Sequence, residues 1–159
     1  MSEAPGDEPR GGPDIRFYHL TRTPLEPALA TMLERTLSRG QKAVVLASSE
    51  ARVEHLCGWL WTYDDRGFLP HGSARDGSAE DQPIWIAAAD ERPNDADVLF
   101  LTDRADSARL DDYAVVALLF DAGDDEQLAD ARARWTRWKG DGRAPAYWKQ
   151  TDTGWAQAG

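Results

Sequence analysis

Four side chains between residues 128 and 139 have the types and spacing needed to bind an acidic peptide. A helix would place them on one face: Leu128, Arg132, Trp135 and Lys139. A guanidinium group binds a carboxylate through two parallel hydrogen bonds, and an indole ring offers an apolar wall beside it. Such a surface suits an acidic peptide that ends in an aromatic residue and a free carboxylate.

The segment around these residues is basic although the chain as a whole is acidic. Residues 131–149 carry six basic side chains and one acid, whereas the formal net charge of the chain is −10. Residues 121–130 are acidic, so complementation of a helix macrodipole could explain part of this asymmetry. It does not explain two tryptophans among the arginines. The residues alone leave both interpretations open, core packing with dipole complementation or peptide recognition.

A second candidate contact surface runs from the end of a predicted helix into a loop. Trp59 and Trp61 precede a stretch rich in Asp and Gly that contains Phe68-Leu69-Pro70-His71. Apolar loop residues next to tryptophan are typical of protein contacts. Phe68 and Leu69 could instead form a short edge strand with inward side chains, and the sequence leaves that alternative open.

Residues capable of catalysis are scattered along the chain. Glycine-rich phosphate loops are absent from the sequence, and the single cysteine, Cys57, falls on the apolar face of a predicted helix. We expect His19, at the end of the first strand, to be a hydrogen-bonded structural residue. We therefore predict no catalytic activity, no cofactor and no metal. The alternative is a small nucleotide-binding or hydrolytic enzyme with a site at the carboxyl ends of the strands, around His19, Ser48 and Asp121.

Length and composition limit the possible classes of protein. The 159 residues predict one domain, and the acidic balance argues against a broad surface for duplex DNA. The first residues lack the apolar stretch of a signal peptide, and no run approaches the roughly 20 apolar residues of a membrane helix. We expect a cytoplasmic protein without membrane contact or direct duplex DNA binding.

Hydrophobic periodicity predicts an α/β fold, a single three-layer domain with a mostly parallel sheet flanked by helices. The predicted strands cover residues 15–19, 43–47, 84–88, 98–101, 115–120 and 146–149. The first predicted helix opens with Thr23 as the N-cap and Pro24 at the first helical position, and Gly40 stops it. The other predicted helices cover residues 50–61 and 124–140. We expect a disordered tail over residues 1–14, a folded domain over 15–151 and a C-terminal tail over 152–159.

Several stretches of the chain resemble the chi subunit family of bacterial DNA polymerase III. They are FYHLTRTPLE, LWTYDDRGFLPHG, EDQPIWI, and VVALLFD followed by ARARWTRWKGDG and AYWKQT. The pattern from Leu60-Trp61 to Phe68-Leu69-Pro70-His71 is the most specific, and FYHLTRTPLE matches a version common among alphaproteobacterial members. The resemblance implies a fold similar to mononucleotide-binding α/β proteins, without a phosphate loop.

The resemblance also implies a function, that of a non-catalytic accessory subunit bridging the clamp loader to single-stranded DNA-binding protein in DNA replication. The implied site for the acidic, Phe-ending tail of that protein comprises Arg132, Trp135, Thr136, Leu119 and Leu128. Trp135 stands where the family has tyrosine, and Thr136 where it has a basic residue. The implied site for the psi subunit, or an equivalent clamp-loader component, comprises Trp61, Phe68, Leu69 and His71.

Overall fold

Strands and helices alternate along the part of the chain that the computed structural model describes, residues 12–62, 70–73, 78–121 and 123–158. The strands are β1 (Asp14–Leu20), β2 (Ala43–Leu46), β3 (Ile84–Ala87), β4 (Val98–Leu101), β5 (Val115–Asp121), β6 (Ala146–Thr151) and β7 (Gly154–Gln157). The α-helices are α1 (Leu25–Ser38), α2 (Glu50–Thr62) and α3 (Asp125–Gly140). Single turns of 3-10 helix occupy Ala79–Asp81 and Leu110–Asp112.

The described strands form one sheet in the order β3-β2-β4-β5-β1-β6-β7. All neighbouring strands are parallel except β6 and β7, which pair as an antiparallel hairpin. Every residue of β2, β3 and β4 is buried, as expected for short apolar strands that are covered on both faces. The predicted α/β class and mostly parallel sheet are confirmed.

Helices cover both faces of the sheet and complete three layers. Helices α1 and α2 share an apolar cluster with one face, whereas α3 packs on the other face. Alternate residues of β5 divide between these layers because successive strand side chains point in opposite directions. Leu119 belongs to the α1 and α2 layer, and Leu118 and Phe120 belong to the α3 layer.

The loop before α1 differs from the prediction. Pro24 is the N-cap of α1 and no side chain caps this helix, so the assignment of Thr23 as N-cap was wrong. Instead, the Oε1 atom of Gln150 on β6 accepts hydrogen bonds of 2.8 to 3.1 Å from the backbone N–H groups of residues 21–23. The Gln150 Nε2 group also donates to the Thr23 hydroxyl at 2.9 Å. A distant strand therefore fixes the loop before α1, whereas no side chain caps the first N–H groups of the helix.

The structure places strands inside both predicted tails. The C-terminal tail over 152–159 was wrong, because Gly154–Gln157 forms β7 and pairs with β6 across Gln150 and Trp155. At the other end, β1 begins at Asp14, inside the predicted N-terminal tail. Most of that tail, residues 1–11, lies outside the described residues, as do residues 63–69, 74–77, 122 and 159.

Candidate recognition groove on the last helix

A groove of about 550 Å³ lies between α3 and the face of β5, β1 and β6 that α3 covers. Leu128, Ala131, Arg132, Trp135 and Thr136 line it from α3, and Phe17, His19, Phe120 and Tyr147 line it from the sheet. The helix is fixed at its start by Asp124, whose Oδ1 atom accepts from the backbone N–H groups of Glu126 and Gln127 at 2.9 and 3.1 Å. This N-cap lies where the sequence predicted the helix to begin.

The structure brings most of the predicted peptide-binding residues together. Leu128, Arg132, Trp135 and Thr136 all line the groove. Leu119 does not, because its side chain lies in the core cluster on the opposite face of the sheet. Its neighbour Phe120 points into the groove instead. The assignment of Leu119 to this site was therefore wrong. The correct residue is the next one along the strand, because neighbouring side chains on a β-strand point to opposite faces of the sheet.

Arg132 is available for a ligand. In the described part of the chain, the arginines without an ion pair are Arg35, Arg39 and Arg132, whereas the others each contact a carboxylate. Arg132 is also exposed, on the face of α3 that borders the groove. In a chain of net charge −10, a guanidinium group without a carboxylate partner is a free donor for an incoming anion.

The other arginines of α3 hold the helix in place. Arg134 is only 4% exposed and donates hydrogen bonds to the backbone carbonyls of Arg104 and Ala105 in the loop after β4. It also forms an ion pair of 3.1 Å with Asp130 one helical turn earlier. Arg137 forms an ion pair of 3.1 Å with Asp106 in the same loop. The basic stretch is therefore divided, with Arg134 and Arg137 in structural roles and Arg132 free.

The tryptophans of α3 divide in the same way. Trp138 is 2% exposed and contacts Phe17 edge-on, with ring centroids 5.5 Å apart, so it is a core residue. Trp135 also contacts Phe17 edge-on at 5.2 Å, but it is only partly buried and forms a wall of the groove. The Nζ atom of Lys139 lies 5.7 Å from the centroid of the Trp135 ring. Core packing therefore explains Trp138, whereas recognition stays a prediction for Trp135.

The floor of the groove contains a histidine between two aromatic rings. The His19 ring stacks on Phe120, with centroids 4.7 Å apart, and on Tyr147, with centroids 5.7 Å apart. Its Nδ1 atom shares a hydrogen bond with the Tyr147 hydroxyl, and its Nε2 atom is buried without a partner in the described protein. Burial first, and then the positive charge of Lys149, lower the pKa of His19, while Asp121 acts in the opposite direction. The imidazole is therefore neutral at pH 7.

Sequence reasoning did not place His19, Phe120 and Tyr147 in this groove. The parallel register sets Phe17 opposite Tyr147 and His19 opposite Lys149, which puts the side chains of β1 and β6 beside each other. The strand partners were not deducible from the sequence, because the pairing joins segments more than one hundred residues apart. The available signal was the alternation of types in β1, where aromatic Phe17 and polar His19 share one face.

The second predicted surface is described only in part. Trp61 is 56% exposed, near the end of α2, and its ring centroid lies 5.0 Å from that of His71. His71 is 6% exposed, and its Nε2 atom lies 3.3 Å from the carbonyl oxygen of Cys57. The structure therefore joins Trp61 and His71 but buries His71 beneath the tryptophan. Phe68 and Leu69 lie outside the described residues.

The carboxyl edge of the sheet has the wrong charge for a phosphate ligand. A cavity of about 180 Å³ there is bordered by Glu26, Asp103, Asp121 and Arg52 among others. Arg52 is held by Asp103 at 2.8 Å and by Glu26 at 3.7 Å, so its positive charge is already neutralised. Of the three residues in the alternative prediction, Asp121 borders this cavity, His19 lines the groove under α3, and Ser48 borders neither.

Two further features are absent from the described part of the chain. No group of three or more His, Cys, Asp or Glu side chains among them is arranged to hold a metal ion. None of the helices in the described part of the chain combines the length and apolar character needed to cross a membrane.

The fold and the groove define an α/β protein with an aromatic-lined groove, bordered by Arg132, between its last helix and its sheet. The family model described as DNA polymerase III chi subunit, HolC, matches residues 13–146, and the chain belongs to this family. The chain is also similar to the probable DNA polymerase III subunit chi of Rickettsia prowazekii (strain Madrid E), with 32% identity over 94 residues. That match covers 59% of this chain and 57% of the Rickettsia protein, a little over half of its length.

Proposed function

We propose that this protein is a non-catalytic accessory subunit of the DNA polymerase III holoenzyme in the bacterial cytoplasm. In this role it bridges the clamp loader to single-stranded DNA-binding protein during DNA replication. Membership of the chi subunit family supports the assignment to the holoenzyme. The observation that carries the bridging role is Arg132, a guanidinium group without an ion pair at the border of the aromatic groove. The acidic cavity at the carboxyl edge supports this role over the alternative of a nucleotide enzyme.

The groove suits the acidic, Phe-ending tail of single-stranded DNA-binding protein. The terminal carboxylate pairs with Arg132, because guanidinium binds carboxylate in a bidentate geometry. The terminal phenyl ring enters the groove against Trp135 and Phe120, where burial of apolar surface adds to the free energy of binding. Neutral His19 adds no positive charge to the floor, so the floor accepts an apolar ring.

The acidic residues that precede the terminal Phe are attracted by charges at the border of the groove. Lys139 lies beside the Trp135 ring, and Lys149 lies next to His19 in the strand register. Thr136 lines the groove with a hydroxyl where the family resemblance implies a basic residue. We infer that Lys139, one helical turn beyond Trp135, supplies the second positive charge on α3.

The contact with the clamp loader uses a different surface, centred on Trp61. This side chain is the large hydrophobic residue that is most exposed in the described part of the chain, and exposed tryptophans are enriched among residues that dominate interface energies. His71 supports it from beneath. The partner there is the psi subunit or an equivalent clamp-loader component, and Phe68 and Leu69 belong to the same proposed contact.

The tail site is tested by fluorescence anisotropy with a labelled acidic peptide that ends in Phe. Arg132→Ala is expected to weaken binding by about 1.5–3 kcal/mol, the range for a hydrogen bond to a charged group. Binding by the unchanged protein should be micromolar in scale and should weaken as salt is added. For a peptide with an amidated C-terminus, which lacks the terminal charge, Arg132→Ala should change the affinity much less.

Arg35→Ala is the matched control, since it removes an exposed arginine without an ion pair from α1, on the opposite face of the sheet. It should bind the peptide as the unchanged protein does. Equal binding by Arg132→Ala, with cooperative unfolding retained, would exclude the groove as the tail site. An equal loss in Arg35→Ala would show that the effect of Arg132→Ala is not specific to the groove.

A further inference from the structure

A second cavity, of about 210 Å³, lies on the opposite face of the sheet from the groove. The two are back to back across β1 and β6, because alternate residues of each strand point to alternate faces. Arg16 and Tyr18 of β1 line this cavity, whereas Phe17 and His19 line the groove. The C-terminal half of α1 borders the cavity from above.

The cavity is positively charged in an acidic protein. Arg16, Arg35 and Arg39 border it, and no acidic side chain is among its described lining residues. Arg16 forms an ion pair of 2.6 Å with the exposed Asp14, whereas Arg35 and Arg39 have no ion pair with any described residue. The macrodipole of α1 favours basic residues near its C-terminus, but it does not account for Arg16, which comes from a strand.

One wall of the cavity is aromatic. Tyr18 stacks on Trp148 with ring centroids 6.5 Å apart, and it contacts Trp155 edge-on at 5.0 Å. All three rings are partly buried and line the cavity. The Nε1 atom of Trp148 is buried without a hydrogen-bond partner in the described protein. The wall therefore offers aromatic ring surface to a ligand.

We propose that this cavity binds a nucleotide unit of single-stranded nucleic acid. The phosphate pairs with Arg35 and Arg39, and the base packs against the aromatic wall of Tyr18, Trp148 and Trp155. Positive charge beside aromatic rings is the arrangement by which proteins bind single strands without reading their sequence. The cavity is smaller than the roughly 300–1,000 Å³ that encloses a whole ligand, so the rest of the strand stays outside. This proposal does not depend on the tail site.

The test is fluorescence anisotropy of the full-length protein with a labelled oligothymidylate of about twelve nucleotides, within the usual range of single-strand site sizes. Replacing Arg35 and Arg39 together by Ala is expected to weaken binding at least about tenfold at low salt and to flatten the slope of log K against log salt by about 1.4. Both residues are exposed, so the double variant should unfold at the same temperature as the unchanged protein.

Arg22→Ala is the control for loss of a surface arginine elsewhere, because Arg22 is exposed, lies outside the cavity and pairs with the exposed Asp152. It should leave oligothymidylate binding within about twofold of the unchanged protein, as a distant surface charge does. A second titration, with thymidine monophosphate, distinguishes a site for single strands from a site for free nucleotides. Binding as tight as that of the oligonucleotide, with the same loss in the double variant, would assign the cavity to free nucleotides.

Three further results would overturn the proposal. They are no binding of either probe, oligothymidylate binding that is unchanged in the double variant, and a loss of acidic-peptide binding in the double variant. The last result would make the cavity a peptide site.

Discussion

His19 makes the stability of the protein depend on pH. Burial and the nearby Lys149 lower its pKa below the ordinary value, so the folded protein resists protonation at this position. The unfolded chain takes up the proton more readily as the pH falls below about 6.5, the ordinary histidine pKa. The unfolded state then binds more protons than the folded state, and the free energy of unfolding decreases with falling pH.

We therefore predict that His19→Gln will lose part of the decrease in stability between neutral and mildly acidic pH. The glutamine side chain cannot take up the proton, but its amide can still form a hydrogen bond with the Tyr147 hydroxyl. Urea unfolding at pH 7.5 and at pH 5.5, values on either side of about 6.5, provides the measurement. An identical decrease in both proteins would show that His19 does not contribute to it.

Which residues of an element face the groove was the hardest question to answer from the sequence. Arg132 and Arg134 are two positions apart on α3, yet one is exposed at the groove and the other is 4% exposed beneath the helix. Only the position of the loop after β4, which accepts the hydrogen bonds of Arg134, decides between them. Leu119 and Phe120 posed the same difficulty, because a strand covered on both faces is apolar at every position and shows no alternation.

Helix α3 supports the groove, and its N-cap should contribute measurably to stability. Asp124→Ala removes the acceptor for two backbone N–H groups and is expected to lower the free energy of unfolding by about 0.5–2 kcal/mol. Asp125→Ala is the matched control, because it removes an exposed carboxylate from the same helical turn but leaves the N-cap at Asp124 in place. Its effect should be a few tenths of a kcal/mol. Urea denaturation compares the two, and equal losses would contradict a specific role of the cap.

Most elements followed from hydrophobic periodicity, and those that were missed depend on distant contacts. The helices and the first six strands lie close to their predicted positions because each has an apolar run of the appropriate period. Strand β7 has no such run, since its four residues are Gly154-Trp155-Ala156-Gln157, and it exists through pairing with β6. The hydrogen bonds that the loop before α1 donates to Gln150 could not be predicted either, because local patterns carry no information about a partner on another strand.

At the scale of the whole molecule, the sheet separates the two proposed partner surfaces. Trp61 lies on α2, in the layer shared with α1, whereas Arg132 lies on α3 in the opposite layer. A peptide in the groove therefore does not compete for space with a protein on α2. This arrangement is what a bridging subunit requires, since both partners must be bound at the same time.

Trp61→Ala should separate the two activities. We expect this variant to lose co-purification with the organism's own clamp-loader complex, because a truncated tryptophan at the centre of an interface typically costs about 2 kcal/mol or more. It should keep its affinity for the Phe-ending peptide, while Arg132→Ala shows the reverse pattern. The side chain is 56% exposed, so its removal should change stability little. Retention of the clamp-loader complex by Trp61→Ala would place that contact elsewhere.

The hydrogen bond between His19 and Tyr147 joins residues that are 128 positions apart, and it lies in the floor of the groove. During synthesis on the ribosome, β1 and α1 emerge long before β6, and the site remains without one wall until Tyr147 has left the exit tunnel. The groove under α3 is therefore complete only after β6 has paired with β1.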